Sequence, residues 1–204
     1  MPQVGKIVTP CFEMDVAAVQ RNYAALLHAF DENHVHGKIA YSIKANYHPD
    51  ILAALQKMGS WFEACTDHEV ELLRSYGVPF CRMVVNGYLL KDELLKGCLE
   101  QGALVILGSY LYARRVCEMT SKYSLQARLG VRVNLDEIKS KEAGFDSLES
   151  RFGIPNSTLL PIQSLLQSAG QKITCLHAHC ALNTRAPMIY VRMVQRMSRM
   201  VEEK

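Results

Sequence analysis

The stretch YSIKANYHPDILAAL, residues 41–55, sets the pattern that the rest of the chain repeats. It opens with a short apolar run that favours a β-strand and continues into a helical pattern that begins near Pro49. Lys44 stands between the two, at the end of the predicted strand. A lysine that ends a buried strand is costly unless it has a partner or a function. Lys44 is therefore the first candidate for a functional residue.

Short apolar runs alternate with amphipathic stretches along the chain, which is typical of βα units around a parallel sheet. The predicted strands are 37–45, 60–66, 81–87, 103–109, 127–135 and 173–180. The predicted helices are 49–58, 67–75, 91–101, 110–122, 157–169 and 188–203. This alternation fits either a (β/α)8 barrel or an open doubly wound sheet. Because a complete barrel has eight strands and typically about 250 residues, the sequence predicts an α/β fold of the TIM-barrel type, incomplete in this chain at about six strands.

Two regions follow from this pattern. Residues 1–36 hold a candidate edge strand at 6–14 and a helix with Asp15 as its N-cap, and they lead into the barrel. Residues 37–204 form the predicted partial barrel, and we expect the 204 residues to contain no C-terminal β-domain. The last helix carries an apolar stripe that we expect to face the core: Met188, Val191, Val194, Met197, Met200 and Val201.

Composition narrows the class of protein. The 204 residues are 49% hydrophobic and 21% charged, and the net charge of +3 is too small to indicate a nucleic-acid or membrane partner. Seven scattered cysteines do not suggest a disulfide framework, and the N-terminus has no signal-peptide pattern. No apolar run reaches transmembrane length. We therefore expect a cytoplasmic protein.

The position of Lys44 suggests chemistry, because barrels of this type react at the carboxyl ends of their strands. Alternation along a strand places Ser42 and Lys44 on one face and Ile43 on the other. Partial burial would favour a neutral amine, which Schiff-base formation requires. The alternative is a lysine that extends along the strand end and keeps its ammonium in water.

Six motifs in order resemble those of one family. They are YSIKANYHPDILAAL (41–55), GSWFEACTDHEVELLRSYGV (59–78), VVNGYLLKDELLKGCLEQGALVILGS (84–109), LGVRVNLD (129–136), SRFGI (150–154) and CLHAHC (175–180). Together they resemble the group III pyridoxal-phosphate-dependent decarboxylases. These proteins have an alanine racemase-like barrel and include diaminopimelate decarboxylase and the eukaryotic ornithine decarboxylases.

The resemblance implies that Lys44 binds pyridoxal 5′-phosphate as a Schiff base and later exchanges it for the substrate amine. It implies that His179 stacks on the cofactor ring and that the small Ser42 leaves room for it. His177 shares the face of His179, so a structural histidine pair or a metal site remains an alternative. Because no third ligand with suitable spacing accompanies the pair, we predict no metal.

The resemblance also places Arg132 near the active site, where the matching arginine pairs with acidic groups. Glu69 is its expected partner, and Glu63 stands where many relatives have aspartate. A buried arginine does need a carboxylate or phosphate. Glu69 has an alternative role, however, because a glutamate in the first turn after Thr66 or Asp67 can complete a capping box. The sequence leaves this choice open.

The implied activity is decarboxylation of a diamino or basic α-amino acid, such as diaminopimelate, ornithine or lysine, by a homodimer. Two alternatives remain open: an amino-acid racemase of the same barrel class, and a non-catalytic decarboxylase-like regulatory or binding protein.

Two departures from the family pattern affect the cofactor site. The run HCALNT, 179–184, stands where the family has a glycine and a phosphate-binding serine after the second histidine. The later half of the family pattern is absent too, with its phosphate loop, its acid for the pyridine nitrogen and its β-domain. We therefore expect these residues alone to lack decarboxylase activity.

Overall fold

Strands and helices alternate throughout the computed structural model, which describes residues 13–87, 89–135, 153–179 and 187–202. The strands are β1 (Ala40–Ser42), β2 (Trp61–Ala64), β3 (Met83–Val85), β4 (Leu104–Leu107), β5 (Arg128–Arg132) and β6 (Ile173–His177). The helices are α1 (Val16–Glu32), α2 (Pro49–Lys57), α3 (Asp67–Ser75), α4 (Asp92–Glu100), α5 (Tyr110–Tyr123), α6 (Asn156–Ser168) and α7 (Met188–Glu202). A short 3-10 turn, Phe80–Arg82, leads into β3.

The six strands form one parallel sheet in the order β1-β2-β3-β4-β5-β6. A doubly wound sheet reverses its strand order at a switch point, whereas a barrel adds each strand beside the previous one. The observed order is therefore that of a barrel. Within the described ranges, β1 and β6 are the two edges of the sheet. The described residues therefore form a six-stranded part of such a barrel, in agreement with the predicted α/β fold of the TIM-barrel type.

Each strand sends alternate side chains to opposite faces of the sheet. One face packs against the helices and is apolar, with Phe62, Met83, Val85, Leu129 and Val131 all buried. The strand register aligns these residues across the sheet, for example Phe62 with Met83. The other face therefore carries the polar residues of the strands, and this face is the interior of the barrel.

The amino-terminal end of the interior is covered by Arg128. Its guanidinium lies 5.2 Å from the centre of the Trp61 ring, and its Nη1 donates to the carbonyls of Cys81 and Gly102. Because β3 and β4 lie between β5 and β2, these contacts indicate that the sheet curves inward. The carboxyl end of the interior holds a different set of polar groups.

Most predicted boundaries agree with the structure, and Asp15 caps α1 by accepting from Ala18 N at 2.8 Å. One expectation was wrong: the first barrel strand ends at Ser42, so Lys44 lies beyond it. The expected stripe of α7 was right only in part. Met200 is buried and Met197 packs against the core, but the other buried residues of the helix are Ile189 and Met193. The remaining members of the expected stripe are exposed: Met188, Val191, Val194 and Val201. The helix is apolar on two sides, and the sequence alone did not indicate which side packs.

The predicted edge strand at 6–14 lies almost entirely outside the described residues. Helix α1 packs against α2, and the domain boundary at residue 36 stays a prediction. None of the helices in the described part of the chain combines the length and apolar character needed to cross a membrane.

Candidate active site

Lys44 lies in a turn that follows β1 and that hydrogen bonds hold on both sides. Ile43 N donates to Glu63 O at 3.2 Å, and Ala45 N donates to Ser42 O at 3.2 Å. Ile43 is fully buried and anchors the turn in the core, whereas Lys44 is exposed. The expected partial burial of the amine is therefore absent from this chain.

The residues after Lys44 fix the far side of the same turn. The Tyr41 hydroxyl donates to Asn46 O at 3.0 Å, and the Asn46 side chain accepts from His48 N at 2.9 Å. His48 then caps α2, where Pro49 occupies the first turn. The motif YSIKAN thus encodes a rigid strand-to-helix connection that presents one lysine.

Glu63 is the interior residue of β2 beside this turn, and Ser42 is its cross-strand partner. Burial raises the pKa of Glu63, but a hydrogen bond from Asn86 and the positive charge of Lys44 oppose this effect, and the pKa stays below its usual value. The Ser42 hydroxyl acts in the same direction, although its buried Oγ does not meet full hydrogen-bond geometry with any described residue. Glu63 is therefore a carboxylate at neutral pH.

Asn86 holds this carboxylate from the next strand. It follows β3, is 9% exposed, and donates from Nδ2 to Glu63 Oε1 at 2.8 Å. Its own N–H donates to Ala64 O at 2.9 Å. Gly87 is required next to it, because a Cβ at that position would lie 2.0 Å from Cys65 O. The connection after β3 therefore packs directly on the connection after β2.

Glu69 takes part in the hydrogen bonds that cap the N-terminus of α3. Its N–H donates to Thr66 Oγ1 at 3.2 Å, and its Oε2 accepts from Cys65 N at 2.5 Å. This reciprocal pattern is a capping arrangement, so the structural alternative for Glu69 is present. The ion pairs of the described residues do not join Glu69 to Arg132. A role for Glu69 at the cofactor stays a prediction.

Arg132 and His177 are cross-strand partners at the carboxyl ends of β5 and β6. The SRFGI motif supports this end of β5, since Ile154 N donates to Arg132 O at 2.7 Å and Asn134 N donates to Ile154 O at 3.0 Å. Gly153 adopts φ +89° there, against the backbone of Val133, where a Cβ would clash at 2.6 Å. The motif therefore sets the position of Arg132 through the backbone.

Both histidines are neutral at pH 7. Burial, with the positive charge of Arg132 second, lowers the pKa of His177 to about 4, and Glu63 opposes this shift. Burial and the charges of Arg132 and Lys44 lower the pKa of His179. Burial and Glu63 also raise the pKa of the Cys65 thiol. These mutual effects show that the groups are close neighbours at one end of the sheet.

The structure thus brings together Lys44, Ser42, Glu63, Arg132, His177 and His179. It also adds two residues that sequence reasoning missed, Asn86 and Cys65. The signal was available, because both lie at the carboxyl end of a predicted strand, 60–66 for Cys65 and 81–87 for Asn86, where barrels place their reactive groups. The HCALNT run beyond His179 and the first two residues of the RFGI loop lie outside the described residues.

This set of residues fits a pyridoxal ring. It offers an exposed amine for an aldehyde, a flat neutral imidazole and a small residue beside the lysine. The buried Ser42 Oγ has no hydrogen-bond partner among the described residues, and such an atom is expected where a ligand completes a site. The described residues include no cluster of three or more His, Cys, Asp or Glu that could hold a metal ion.

Comparison with known proteins agrees with the geometry. A family described as "Pyridoxal-dependent decarboxylase, pyridoxal binding domain" matches residues 16–204. The diaminopimelate decarboxylase of Methanothermobacter thermautotrophicus is 24% identical over 173 residues, which are 84% of this chain and 40% of the relative. The chain therefore spans less than half the length of that relative. The match confirms the predicted cofactor, pyridoxal 5′-phosphate.

Two solved structures share the fold. The Helicobacter pylori diaminopimelate decarboxylase complexed with L-lysine superposes with a TM-score of 0.79 at 16% identity, covering 93% of this chain and 48% of that one. The Vibrio vulnificus lysine/ornithine decarboxylase complexed with putrescine gives a TM-score of 0.70 at 22% identity, with coverage of 93% and 48%. The resemblance predicted from six motifs is confirmed, and the chain belongs to the family of pyridoxal-dependent decarboxylases through their pyridoxal-binding domain.

Proposed function

We propose that the protein decarboxylates a basic or diamino α-amino acid with pyridoxal phosphate, and that Lys44 is the amine that binds the cofactor aldehyde. One observation carries the proposal. The Lys44 turn lies at the carboxyl edge of the sheet, where the charge of the lysine acts on Glu63, His177 and His179. Family membership supports the reaction class.

The residues of this chain would hold the cofactor in distinct ways. His179 offers a neutral ring for stacking, and the small Ser42 leaves space beside Lys44. Arg132 supplies a fixed positive charge, while Glu63 and Glu69 supply the acidic groups of the same edge. When bound, the cofactor supplies an electron sink for the carbanion that decarboxylation leaves.

Lys44 has a second role in this proposal. Residue Lys44 is exposed in a turn, so its amine can donate a proton to the substrate carbon once CO2 has left. The backbone hydrogen bonds of Ile43 and Ala45 hold the chain on both sides of Lys44.

The substrate class follows from the relatives alone. Diaminopimelate, lysine and ornithine are named for proteins that resemble this chain. We propose the same class here, and a cytoplasmic homodimer as the active form. We also propose that catalysis requires a longer product than the 204 residues, because this chain spans 40% of the diaminopimelate decarboxylase it matches.

The test is a product assay on the longest native protein that contains this chain. With pyridoxal phosphate present, diaminopimelate, ornithine and lysine are offered separately, and released CO2 and the chirality of the remaining amino acid are both measured. CO2 release that Lys44→Ala abolishes supports the proposal. Racemisation without CO2 would indicate the racemase alternative. Cofactor binding with neither reaction, or no cofactor binding, would indicate a regulatory or binding protein.

A further inference from the structure

His177 is a second histidine at the carboxyl edge to which the motif comparison assigned no role. It ends β6, pairs with Arg132 on β5, and its carbonyl accepts from Val133 N at 2.8 Å. Alternation along β6 and the register with β5 place its side chain on the same face of the sheet as Arg132. It therefore faces the space above the barrel interior, into which Lys44 also projects its charge.

The burial of its two ring nitrogens differs. Nδ1 is buried and has no hydrogen-bond partner among the described residues, whereas Nε2 is not among the buried atoms that lack a partner. A buried N–H without an acceptor is rarer and more costly than a buried acceptor without a donor. Nδ1 is therefore the unprotonated nitrogen, and the proton of the neutral ring lies on Nε2.

Burial and the neighbouring charged groups together keep the His177 ring neutral. Arg132 on β5, Lys44 after β1 and His179 after β6 disfavour a positive charge on it, while Glu63 on β2 favours one, and burial adds to the first group. The ring therefore presents an uncharged Nε2–H donor among cationic neighbours. Such a donor suits an oxygen that carries negative charge, because N–H groups bind anionic oxygens more strongly than neutral ones.

We propose that His177 binds the ligand of this site by donating a hydrogen bond from Nε2 to an anionic oxygen. This inference rests on the proposed function, which supplies two such oxygens. One is the phenolate of the pyridoxal ring, on the carbon next to the aldehyde that Lys44 binds. The other is the carboxylate of the amino-acid substrate. The tests below separate these two sources.

The first test reads the tautomer in the unmodified protein. Nitrogen chemical shifts of 15N-histidine-labelled protein, assigned with His177→Gln, report which nitrogen carries the proton. We expect a neutral ring protonated at Nε2 near pH 7, before and after loading with pyridoxal phosphate. An Nδ1–H tautomer or an imidazolium would overturn the proposal even if the cofactor binds normally.

The second test compares three variants. His177→Phe keeps a flat ring without a donor, and His177→Gln keeps a donor close to the Nε2 position. His28→Phe is the matched control, since His28 is exposed on α1 beside Glu32. Loss of one hydrogen bond to a charged group should weaken binding about tenfold to a hundredfold. We expect His177→Gln to recover most of that loss.

The readouts identify the oxygen. If the phenolate is bound, His177→Phe raises the Kd for pyridoxal phosphate and shifts its visible absorption without any amino acid. If the substrate carboxylate is bound, cofactor Kd and spectrum stay unchanged, and the KM for the amino acid rises in the longest native protein. Unchanged Kd, spectrum and KM in His177→Phe, or equal losses in the Gln and Phe variants, would overturn the proposal alone. If the unmodified protein binds no cofactor, the proposed function fails as well.

Discussion

Asn86 Nδ2 donates a hydrogen bond to Glu63 Oε1 over 2.8 Å and thereby joins the residue after β3 to the interior of β2. The bond opposes the effect of burial and helps to hold the pKa of Glu63 below its usual value. It also fixes the carboxylate beside the Lys44 turn, whose Ile43 N–H is bound to the carbonyl of the same glutamate.

Removing this donor should destabilise the chain in a pH-dependent way. Asn86→Ala leaves a half-buried carboxylate without its main partner, which should cost about 1–3 kcal/mol near neutral pH. The pKa of Glu63 is lowered in the folded state from 4.5, so its stabilising effect is present above that value and is lost as the pH falls below it. Urea unfolding at neutral and acidic pH measures the difference.

Asn33→Ala is the control for this prediction, since Asn33 Nδ2 donates to Ala29 O on the exposed end of α1. Its effect should be smaller and should not change between the two pH values. Equal losses for both variants at both pH values would show that Asn86 and Glu63 are not energetically coupled.

A methyl group at Gly87 should be far more damaging. Its Cβ would meet a backbone oxygen, Cys65 O, at 2.0 Å, and backbone atoms cannot give way as a flexible side chain can. We expect Gly87→Ala to lose more than about 3 kcal/mol of unfolding free energy, at the upper end of overpacking effects. Thermal and urea denaturation followed by circular dichroism would measure the loss.

Gly97→Ala is the control for this prediction, because here the same substitution should increase the free energy of unfolding. Gly97 lies inside α4, and a Cβ there would meet Phe80 Cζ at an ordinary 3.7 Å. Replacing a helical glycine by alanine should stabilise the protein by about 0.5–1 kcal/mol. A tolerated Gly87→Ala would contradict the close packing of the two connections.

The two possible roles of Glu69, capping of α3 and a charge interaction with Arg132, can be distinguished by removing its charge. Glu69→Gln keeps an oxygen acceptor for Cys65 N–H, whereas Glu69→Ala removes it, and loss of a cap costs about 1 kcal/mol. If capping is the main role, the Gln variant should match the unmodified protein in stability and cofactor Kd. Glu71→Ala, on an exposed position of α3, is the control. Normal stability with weakened cofactor binding in Glu69→Gln would instead indicate a charge role with Arg132.

His177 should make the fold sensitive to acid. Its folded pKa of about 4 lies below the ordinary 6.5, so the unfolded chain takes up a proton first as the pH falls. Stability is then complete above about pH 6.5 and declines toward pH 4, by on the order of 2 kcal/mol between about pH 7.5 and pH 5. His177→Phe should flatten this slope when unfolding is measured across the range. An unchanged slope would mean that other groups dominate acid unfolding.

The strand and helix pattern was predictable because each βα unit carries its own signals. Alternating apolar residues, the Asp15 cap and Pro49 at the first turn of α2 are local features, and the structure follows them. Sequential strand order then follows from short crossovers between parallel strands. These features need no knowledge of distant contacts.

The errors concern residues whose environment depends on the rest of the fold. Lys44 was placed in a strand because alternation continues through Ile43, but a turn begins once Ala45 N–H bonds back to Ser42 O. The predicted stripe of α7 was right only for Met197 and Met200, because both sides of the helix are apolar. Asn86 was missed because it was predicted as part of the strand 81–87, and its hydrogen bond to Glu63 joins two different strands.

The most direct test of the central claim is to trap the cofactor on its lysine. The purified chain, and any longer native product that contains it, is mixed with pyridoxal phosphate, reduced with borohydride, digested and analysed by mass spectrometry. Lys44→Ala and the exposed Lys57→Ala serve as the paired variants. We predict a label confined to Lys44, lost in Lys44→Ala and retained in Lys57→Ala. Labelling spread over surface lysines, or absent from both the short and the long product, would contradict the account.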